Sequence, residues 1–151
     1  MTPLQHLCQL KQNHQKRRYP NVPDHARPKP KYSDKTANSL TVCVVDWLQL
    51  NGHFASRLSS TGTYRNDLQK FVASQQRSGL PDVLAVVAGA AVFVEIKAGK
   101  DRLSSVQKEV IDELKQAGAR VYVASSFDAF YAWYQHEFTP TSTNPAYVSR
   151  A

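Results

Sequence analysis

Two short runs of apolar residues, 83 to 88 and 92 to 96, stand out from the more polar chain around them. Both are rich in valine, and they meet at Ala88-Gly89-Ala90, where the glycine gives the backbone the freedom that a tight turn needs. Apolar runs of this length and composition are typical of buried strands. The pattern therefore predicts two antiparallel strands joined as one hairpin.

Three other stretches have apolar residues at the spacing of a helix. The first covers 36 to 51, with Thr36 or Asn38 as its cap, and the second runs from Ser104 to about Gln116. The apolar positions are Leu40, Val44, Trp47 and Leu48 in the first helix, Val106, Val110, Ile111 and Leu114 in the second, and Phe127, Phe130, Tyr131 and Tyr134 in the third. An aromatic stripe at helical spacing is more often core than a ligand site, so we assign all three faces to packing.

Two further strands complete the predicted sheet. Residues 53 to 58 alternate apolar and polar side chains and should pack beside the hairpin, and 120 to 124 form a third buried strand directly after the second helix. A helix between two strands is a crossover connection, which favours parallel pairing of 120 to 124 with 92 to 96. The predicted fold is therefore α/β: a small mixed sheet with helices on both faces.

The remaining segments lack a regular period. Residues 59 to 79 are polar and predict a long loop with one helical turn at 66 to 72. Residues 1 to 35 contain five of the eight prolines and predict an extended arm, with a short helix over 4 to 18 as the alternative. We divide the chain into this arm, a folded domain at 36 to 138 and a disordered tail at 139 to 151.

Charge is concentrated in the arm. The chain carries a formal charge of +7, of which +6 belongs to residues 1 to 35 and only +1 to residues 36 to 151. Such an arm can lie along a phosphate backbone, but it can equally be a solvated tail or pack on a partner subunit. Cys8 and Cys43 are too few for a disulfide framework or a zinc site, and no stretch is long and apolar enough for a membrane span. We expect a cytoplasmic protein.

Charged residues sit at the ends of the predicted hairpin. Asp82 opens its first strand, and Glu95 and Lys97 close the second. Alternation along the strand puts Glu95 and Lys97 on the same face, and antiparallel pairing brings Asp82 beside them. Two carboxylates in one small patch are costly unless a cation offsets them, and Mg²⁺ prefers such oxygen ligands. The backbone carbonyl of Ile96 could supply a further oxygen. The alternative is an ordinary surface ion pair between Glu95 and Lys97, worth little energetically.

Several short motifs extend this pattern in a fixed order. They are Gly79-Leu-Pro-Asp82, Phe93-Val-Glu-Ile-Lys97, Gly99-Lys-Asp-Arg-Leu-Ser104, Gln107, Gly118 and Ser126-Phe-Asp-Ala-Phe130. Pro-Asp followed by Glu-x-Lys resembles the PD-(D/E)xK nuclease superfamily. The longer series resembles its VRR-NUC (virus-type replication-repair nuclease) family over roughly residues 36 to 134.

This resemblance implies a restriction-endonuclease-like fold and a metal-dependent endodeoxyribonuclease. Asp82, Glu95 and the Ile96 carbonyl would bind Mg²⁺ or Mn²⁺, and Lys97 and Gln107 would complete the catalytic set with the two acids. Structure-selective cleavage of four-way junctions or flaps, action as a homodimer, and a role in replication, repair or phage DNA processing in a bacterial or phage-infected cell are further implications.

Five other residues are candidate contacts to nucleic acid, because arginine, lysine and aromatic side chains are common at such interfaces. They are Tyr64, Arg65, Arg77, Lys100 and Arg102. Many PD-(D/E)xK nucleases also carry a glutamate on the first helix, but residues 36 to 39 contain no acid, and only the uncharged Asn38 could reach a metal or water there. A non-catalytic nucleic-acid-binding module is the alternative function, and a ribonuclease or a restriction-type enzyme also remains open.

Overall fold

The computed structural model describes residues 1–58 and 62–139. Its helices are α1 (Pro3–Arg18), α2 (Ala37–Leu50), α3 (Ser105–Gln116) and α4 (Phe127–Phe138), with one short 3₁₀ turn at Asp24–Ala26. Its strands are β1 (Phe54–Arg57), β2 (Thr63–Arg65), β3 (Lys70–Val72), β4 (Val83–Val87), β5 (Ala90–Ile96) and β6 (Arg120–Ala124). The predicted tail lies outside the described residues apart from Thr139.

Four of the strands form the main sheet, in the order β1-β4-β5-β6. The pairs β1–β4 and β4–β5 are antiparallel, while β5 and β6 are parallel and are joined by α3 as a crossover helix. The predicted mixed sheet, including the parallel pairing of its last strand, is confirmed. β2 and β3 form a separate two-stranded sheet.

Helices cover both faces of the main sheet. On one face, α2 and α4 pack on the strands, and their side chains form the hydrophobic core together with valines of β4 and β5. The largest buried side chains there are Trp47, Phe127 and Phe130. On the other face, α3 lies against β6 and buries Val110 and Ile111. The aromatic stripe of α4 is core, as predicted.

A two-residue turn fixes the register of the β4–β5 hairpin. Val87 pairs with Ala90, and the two residues between them, Ala88 and Gly89, have φ angles of 50° and 80°. Both angles lie in the left-handed region, which matches the twist of paired strands in a tight hairpin. Because a two-residue turn allows only one register, it determines every pairing of β4 with β5, from Val87 with Ala90 to Val83 with Val94.

Hydroxyl side chains cap the start of all four helices in the described part of the chain. Thr2 caps α1 by accepting a hydrogen bond from the backbone N–H of Gln5. Thr36 accepts a hydrogen bond from the backbone N–H of Ser39, Ser104 from that of Gln107, and Ser126 from that of Ala129. Each bond satisfies one of the N–H groups that a helix leaves without a partner in its first turn.

The extended arm predicted for residues 1 to 35 is wrong for Pro3–Arg18, where the alternative of a helix holds. The first proline falls at the start of α1, where its missing N–H costs nothing, and the other four follow the helix. Leu7 is fully buried, and α1 packs on α2 and α4. After the 3₁₀ turn, residues 27 to 35 have no regular secondary structure, as expected for the extended part.

The long loop predicted at 59 to 79 contains a hairpin instead. β2 pairs with β3 antiparallel around a turn at 66 to 69, where a helical turn was predicted. Each strand has only three residues, which is too short for an alternating pattern to show in the sequence. Residues 59 to 61 of the predicted loop lie outside the described part of the chain.

Two predictions of burial are also wrong. β6 was predicted as a buried strand, but it is the outermost strand on one side of the sheet, and only Ala124 is fully buried. Val106 was predicted on the packed face of α3, but it lies in the first turn of the helix, next to Gly79, and is 45% exposed. Cys8 and Cys43 are free thiols, as predicted. Within the described residues, no helix has the length and apolar character to cross a membrane.

The packing of α1 predicts that Leu7→Ala will destabilise the protein. Deleting a fully buried leucine side chain should lower the free energy of unfolding by about 2–5 kcal/mol, measured by urea denaturation. Gln9→Ala changes an exposed residue of the same helix and should have an effect within about 0.5 kcal/mol. Equal stability of the two variants would mean that α1 does not belong to the core.

Candidate active site

The β4–β5 hairpin brings two carboxylates together at one edge of the sheet, where β4 begins and β5 ends. Val83 pairs with Val94, so Asp82 and Glu95 are the next opposing positions and their side chains are on the same face. The Asp82 Oδ2 atom accepts a hydrogen bond from the backbone N–H of Ile96 at 2.8 Å. This bond anchors the Asp82 carboxylate to the end of β5, beside Glu95.

Glu95 is a buried acid, with 2% of its surface exposed. Two side chains contact the same oxygen of Glu95. Lys97 Nζ lies 3.3 Å from Oε1, and Gln107 Nε2 donates to Oε1 at 3.1 Å. The other oxygen, Oε2, is buried without a hydrogen-bond partner in the described part of the chain. One half of this carboxylate is therefore satisfied and the other half is not.

The surroundings of Glu95 favour its protonated form. Burial and the neighbouring Asp82 carboxylate raise the pKa of Glu95 to about 7, and Lys97 only partly opposes them. A protonated Glu95 can donate a hydrogen bond to Asp82, whereas an ionised Glu95 has no donor for Oε2. The pair resembles two carboxyl groups that share one proton, so it would accept a cation in the place of that proton.

Gln107 has two roles at the start of α3. Its Oε1 atom accepts from the backbone N–H of Ser104 at 2.9 Å, which completes a capping box, and its Nε2 atom donates to Glu95. The cap fixes which end of the amide faces the sheet. Gln107 therefore faces the end of β5 that bears Glu95.

The residues at this edge fit a divalent cation. The buried Oε2 atom of Glu95 lacks a donor, and the carboxylate of Asp82 lies beside it, so two hard oxygen ligands converge on one place. Among the described residues, no group of three or more His, Cys, Asp or Glu side chains could hold a metal. A cation here would therefore need backbone oxygen, such as the predicted Ile96 carbonyl, and water or substrate as its remaining ligands.

The first helix contributes an amide instead of an acid. Asn38 lies in the first turn of α2, and its Oδ1 atom accepts a hydrogen bond from Arg57 Nη1 at 2.5 Å. Arg57 ends β1 opposite Val83, and the next residue, Leu58, donates its N–H to the carbonyl of Asp82 at 2.7 Å. Arg57 thus lies at the same edge of the sheet, on the side of α2.

Sequence reasoning did not assign Arg57 to the site. The signal was present: a strand at 54 to 57 that pairs antiparallel with 83 to 86 puts its last residue beside Asp82. Finding it required the register of β1 against β4, which no tight turn fixes, because 25 residues separate Arg57 from Val83.

The five predicted nucleic-acid contacts do not form one cluster. Arg65 forms an ion pair with Asp67, and Arg77 makes two hydrogen bonds to Glu113, at 2.7 and 2.6 Å. These contacts give both arginines a local structural role. Lys100 and Arg102 are exposed in the bend between β5 and α3, where no ion pair engages them within the described residues. Tyr64 is exposed on β2. Their contact with nucleic acid stays a prediction.

The fold and this edge together define the class of protein. A mixed sheet with helices on both faces, with two carboxylates and a lysine at one edge, is consistent with a small nuclease-like fold. The model of the VRR-NUC domain matches residues 32–128, which is most of the chain, and the protein belongs to this family. Comparison with curated proteins and with solved structures gives no significant match. The family indicates a nuclease-type function with DNA as partner, and its members generally need a divalent metal.

The raised pKa of Glu95 predicts a pH-dependent stability in the absence of metal. Between pH 4.5 and about 7 the folded state keeps a proton that the unfolded state has lost, so the free energy of unfolding should fall as pH rises through this window. The full decrease is about 3 kcal/mol and should be nearly complete at pH 8. Urea denaturation in EDTA at several pH values would measure it.

Glu95→Gln is the matched control for this measurement. The amide cannot ionise and should abolish the decrease, so that the variant is more stable than the wild type at pH 8 and similar to it at pH 5. If both proteins changed in parallel over this range, Glu95 would not be the group responsible.

Proposed function

We propose that the protein is a divalent-metal-dependent nuclease that hydrolyses phosphodiester bonds in DNA at the edge of the sheet bearing Asp82 and Glu95. The observation that carries the proposal is the buried Glu95 carboxylate, which lies next to a second carboxylate and whose Oε2 atom has no donor among the residues that the structure describes. A protein that only bound nucleic acid would gain nothing from two acids at the place where phosphate approaches.

Asp82, Glu95 and the backbone carbonyl of Ile96 would hold Mg²⁺ or Mn²⁺. Such a cation lowers the pKa of water and offsets the negative charge of the phosphate. Asp82 is well suited to this role because the N–H of Ile96 already fixes one of its oxygens at 2.8 Å. Gln107 and Lys97 hold Oε1 of Glu95 in the same way, which leaves Oε2 for the cation.

Lys97 is the candidate for handling the proton and the charge of the reaction. Its side chain retains 17% exposure, so Nζ contacts the buried Glu95 while staying accessible from solvent. In this position it can orient the attacking water, receive its proton when deprotonated, or stabilise the negative charge that develops on the phosphate. Gln107 would act as a positioning residue through Glu95.

The substrate is proposed to be DNA with a branched structure, such as a four-way junction or a flap. The support is the family resemblance, which also favours a homodimer that acts in replication, repair or phage DNA processing inside a bacterial or phage-infected cell. Lys100 and Arg102 are the proposed phosphate contacts nearest in sequence to the edge, because they follow Lys97 in an exposed bend.

The main test is cleavage of end-labelled DNA by the purified protein. Linear duplex, single strand, flap and four-way junction would each be incubated with Mg²⁺, Mn²⁺ or EDTA. We expect metal-dependent cleavage, and we expect Lys97→Ala to lower the rate at least 100-fold, since a positioned proton-transfer group contributes about 10²–10⁴-fold.

Lys115→Ala is the control, because it removes an exposed lysine from the far end of α3 and should leave the rate unchanged. Cleavage that survives both EDTA and Lys97→Ala would point to a contaminant. Tight DNA binding without cleavage of any substrate would contradict the proposal and favour a non-catalytic binding module.

The two bonds of Gln107 can be separated by Gln107→Glu. A glutamate can still accept from the Ser104 N–H, so the helix cap should be preserved and the variant should remain folded. It cannot donate to Glu95 when ionised and adds a like charge, so cleavage should slow by about 10-fold or more, with a stronger dependence on metal concentration. A rate equal to that of the wild type would show that Gln107 serves only the helix.

A further inference from the structure

The β2–β3 hairpin carries three exposed apolar side chains that the fold does not use. Tyr64 is 56% exposed, Leu68 49% and Phe71 66%. The hairpin forms a separate sheet, and isolated two-stranded hairpins are only marginally stable in water. Large apolar side chains that remain exposed on such a hairpin are not part of a hydrophobic core. Their exposure indicates a binding partner.

The register places the two aromatic residues side by side. Tyr64 pairs directly with Phe71, and opposing residues of antiparallel strands point to the same face. Arg65 and Lys70 form the next pair, on the other face. A side chain at Gly62 would collide with the ring of Phe71, because a Cβ atom there would lie 2.5 Å from its Cε1 atom. The glycine therefore allows the Phe71 ring to lie against the backbone of the hairpin.

The insertion that contains the hairpin starts and ends at the candidate active edge. The chain leaves the main sheet after Leu58 and returns at Asp82, and these two residues are joined by a backbone hydrogen bond of 2.7 Å. The returning segment is fixed to α3, since Arg77 forms its two hydrogen bonds to Glu113 and Gly79 lies against Val106. The apolar face of Tyr64 and Phe71 is thus carried on an insertion rooted beside Asp82.

We propose that this hairpin is a binding site for the unpaired bases of DNA, which would stack on Tyr64 and Phe71 next to the point of cleavage. The inference rests on the proposed nuclease function and adds the feature of the substrate that is recognised. Every base has a π-face, so stacking on aromatic side chains tolerates any sequence. It requires bases that are exposed, which a continuous duplex does not offer.

Charge and area favour DNA over a protein partner. Residues 62 to 79 carry three cations, Arg65, Lys70 and Arg77, of which Arg65 pairs with Asp67 and Arg77 with Glu113. Lys70 remains as the cation that no acid among the described residues offsets, and a positive side chain on the hairpin suits a phosphate backbone. The exposed parts of the three apolar side chains amount to roughly 300 Å² on usual side-chain areas. That is well below the approximately 800 Å² per partner that a stable protein interface buries.

The test is DNA binding by the full chain, measured in EDTA by fluorescence anisotropy. The probes are a labelled single strand and the duplex of the same sequence. Tyr64→Ala and Phe71→Ala should each weaken binding of the single strand by about 5-fold or more, as expected for the loss of one stacked base, and should leave duplex binding nearly unchanged. Tyr64→Phe keeps the ring and should bind as the wild type does.

Two controls separate stacking from other causes. Phe71→Leu keeps an apolar side chain but removes the π-face, so it should weaken single-strand binding as Phe71→Ala does. Phe54→Ala removes an aromatic residue of similar exposure, 61%, at the end of β1 that lies away from Asp82, and should have no effect. Unfolding temperatures near that of the wild type would show that the hairpin variants are folded.

Three results would overturn the inference: unchanged single-strand binding by both alanine variants, an equal loss on single strand and duplex, or full binding by Phe71→Leu. A change in the sedimentation coefficient of the hairpin variants would also overturn it, by showing that the patch is a contact between subunits. The binding assay needs no metal or catalysis, so it remains decisive if the protein does not cleave DNA. Cleavage with normal single-strand binding by the variants would leave the nuclease function standing and remove the hairpin's role.

Discussion

The burial of Glu95 opposite Asp82 is the constraint on which the rest of the site depends. A buried carboxylate beside a second acid is unfavourable, and the protein offsets it on one side only, with Lys97 and Gln107 on Oε1. The other oxygen, Oε2, has no hydrogen-bond donor in the described part of the chain. The arrangement is costly unless a proton or, as we propose, a cation occupies it, so part of the stability of the fold is given up at the place where we propose that chemistry occurs.

Three separate pieces of local structure keep that arrangement in place. The two-residue turn at Ala88-Gly89 fixes the register that sets Asp82 against Glu95. The capping box of α3 fixes the amide of Gln107, which reaches Glu95 from the first turn of the crossover helix. The N–H of Ile96 fixes Asp82. Each of these features has a defined geometry. Together they position the side chains of Asp82, Glu95 and Gln107, which come from two strands and a helix.

The same edge of the sheet is also the root of the inserted β2–β3 hairpin and the site of Arg57. The inserted segment that carries the exposed aromatic residues and the bend that carries Lys100 and Arg102 both connect to the main sheet at this edge. The opposite face of the sheet, where α1, α2 and α4 pack, contains most of the large buried side chains and supplies the rigidity. This division lets the inserted hairpin and the bend after Lys97 vary without disturbing the core.

The sequence by itself determined the features that rest on neighbouring residues. The helices from α2 onward with their caps, the β4–β5 hairpin, and the meeting of Asp82, Glu95 and Lys97 all follow from periodicity, capping side chains and a tight turn, which are local. Only the tertiary structure decided the packing of α1 through Leu7, the exposed position of β6, the β2–β3 hairpin, the ion pair of Arg77 and the position of Arg57. These depend on contacts between residues far apart in the chain, or on strands too short to show a period. The burial of Glu95 belongs with them, because it is the folding of α3 over the end of β5 that removes its carboxylate from water.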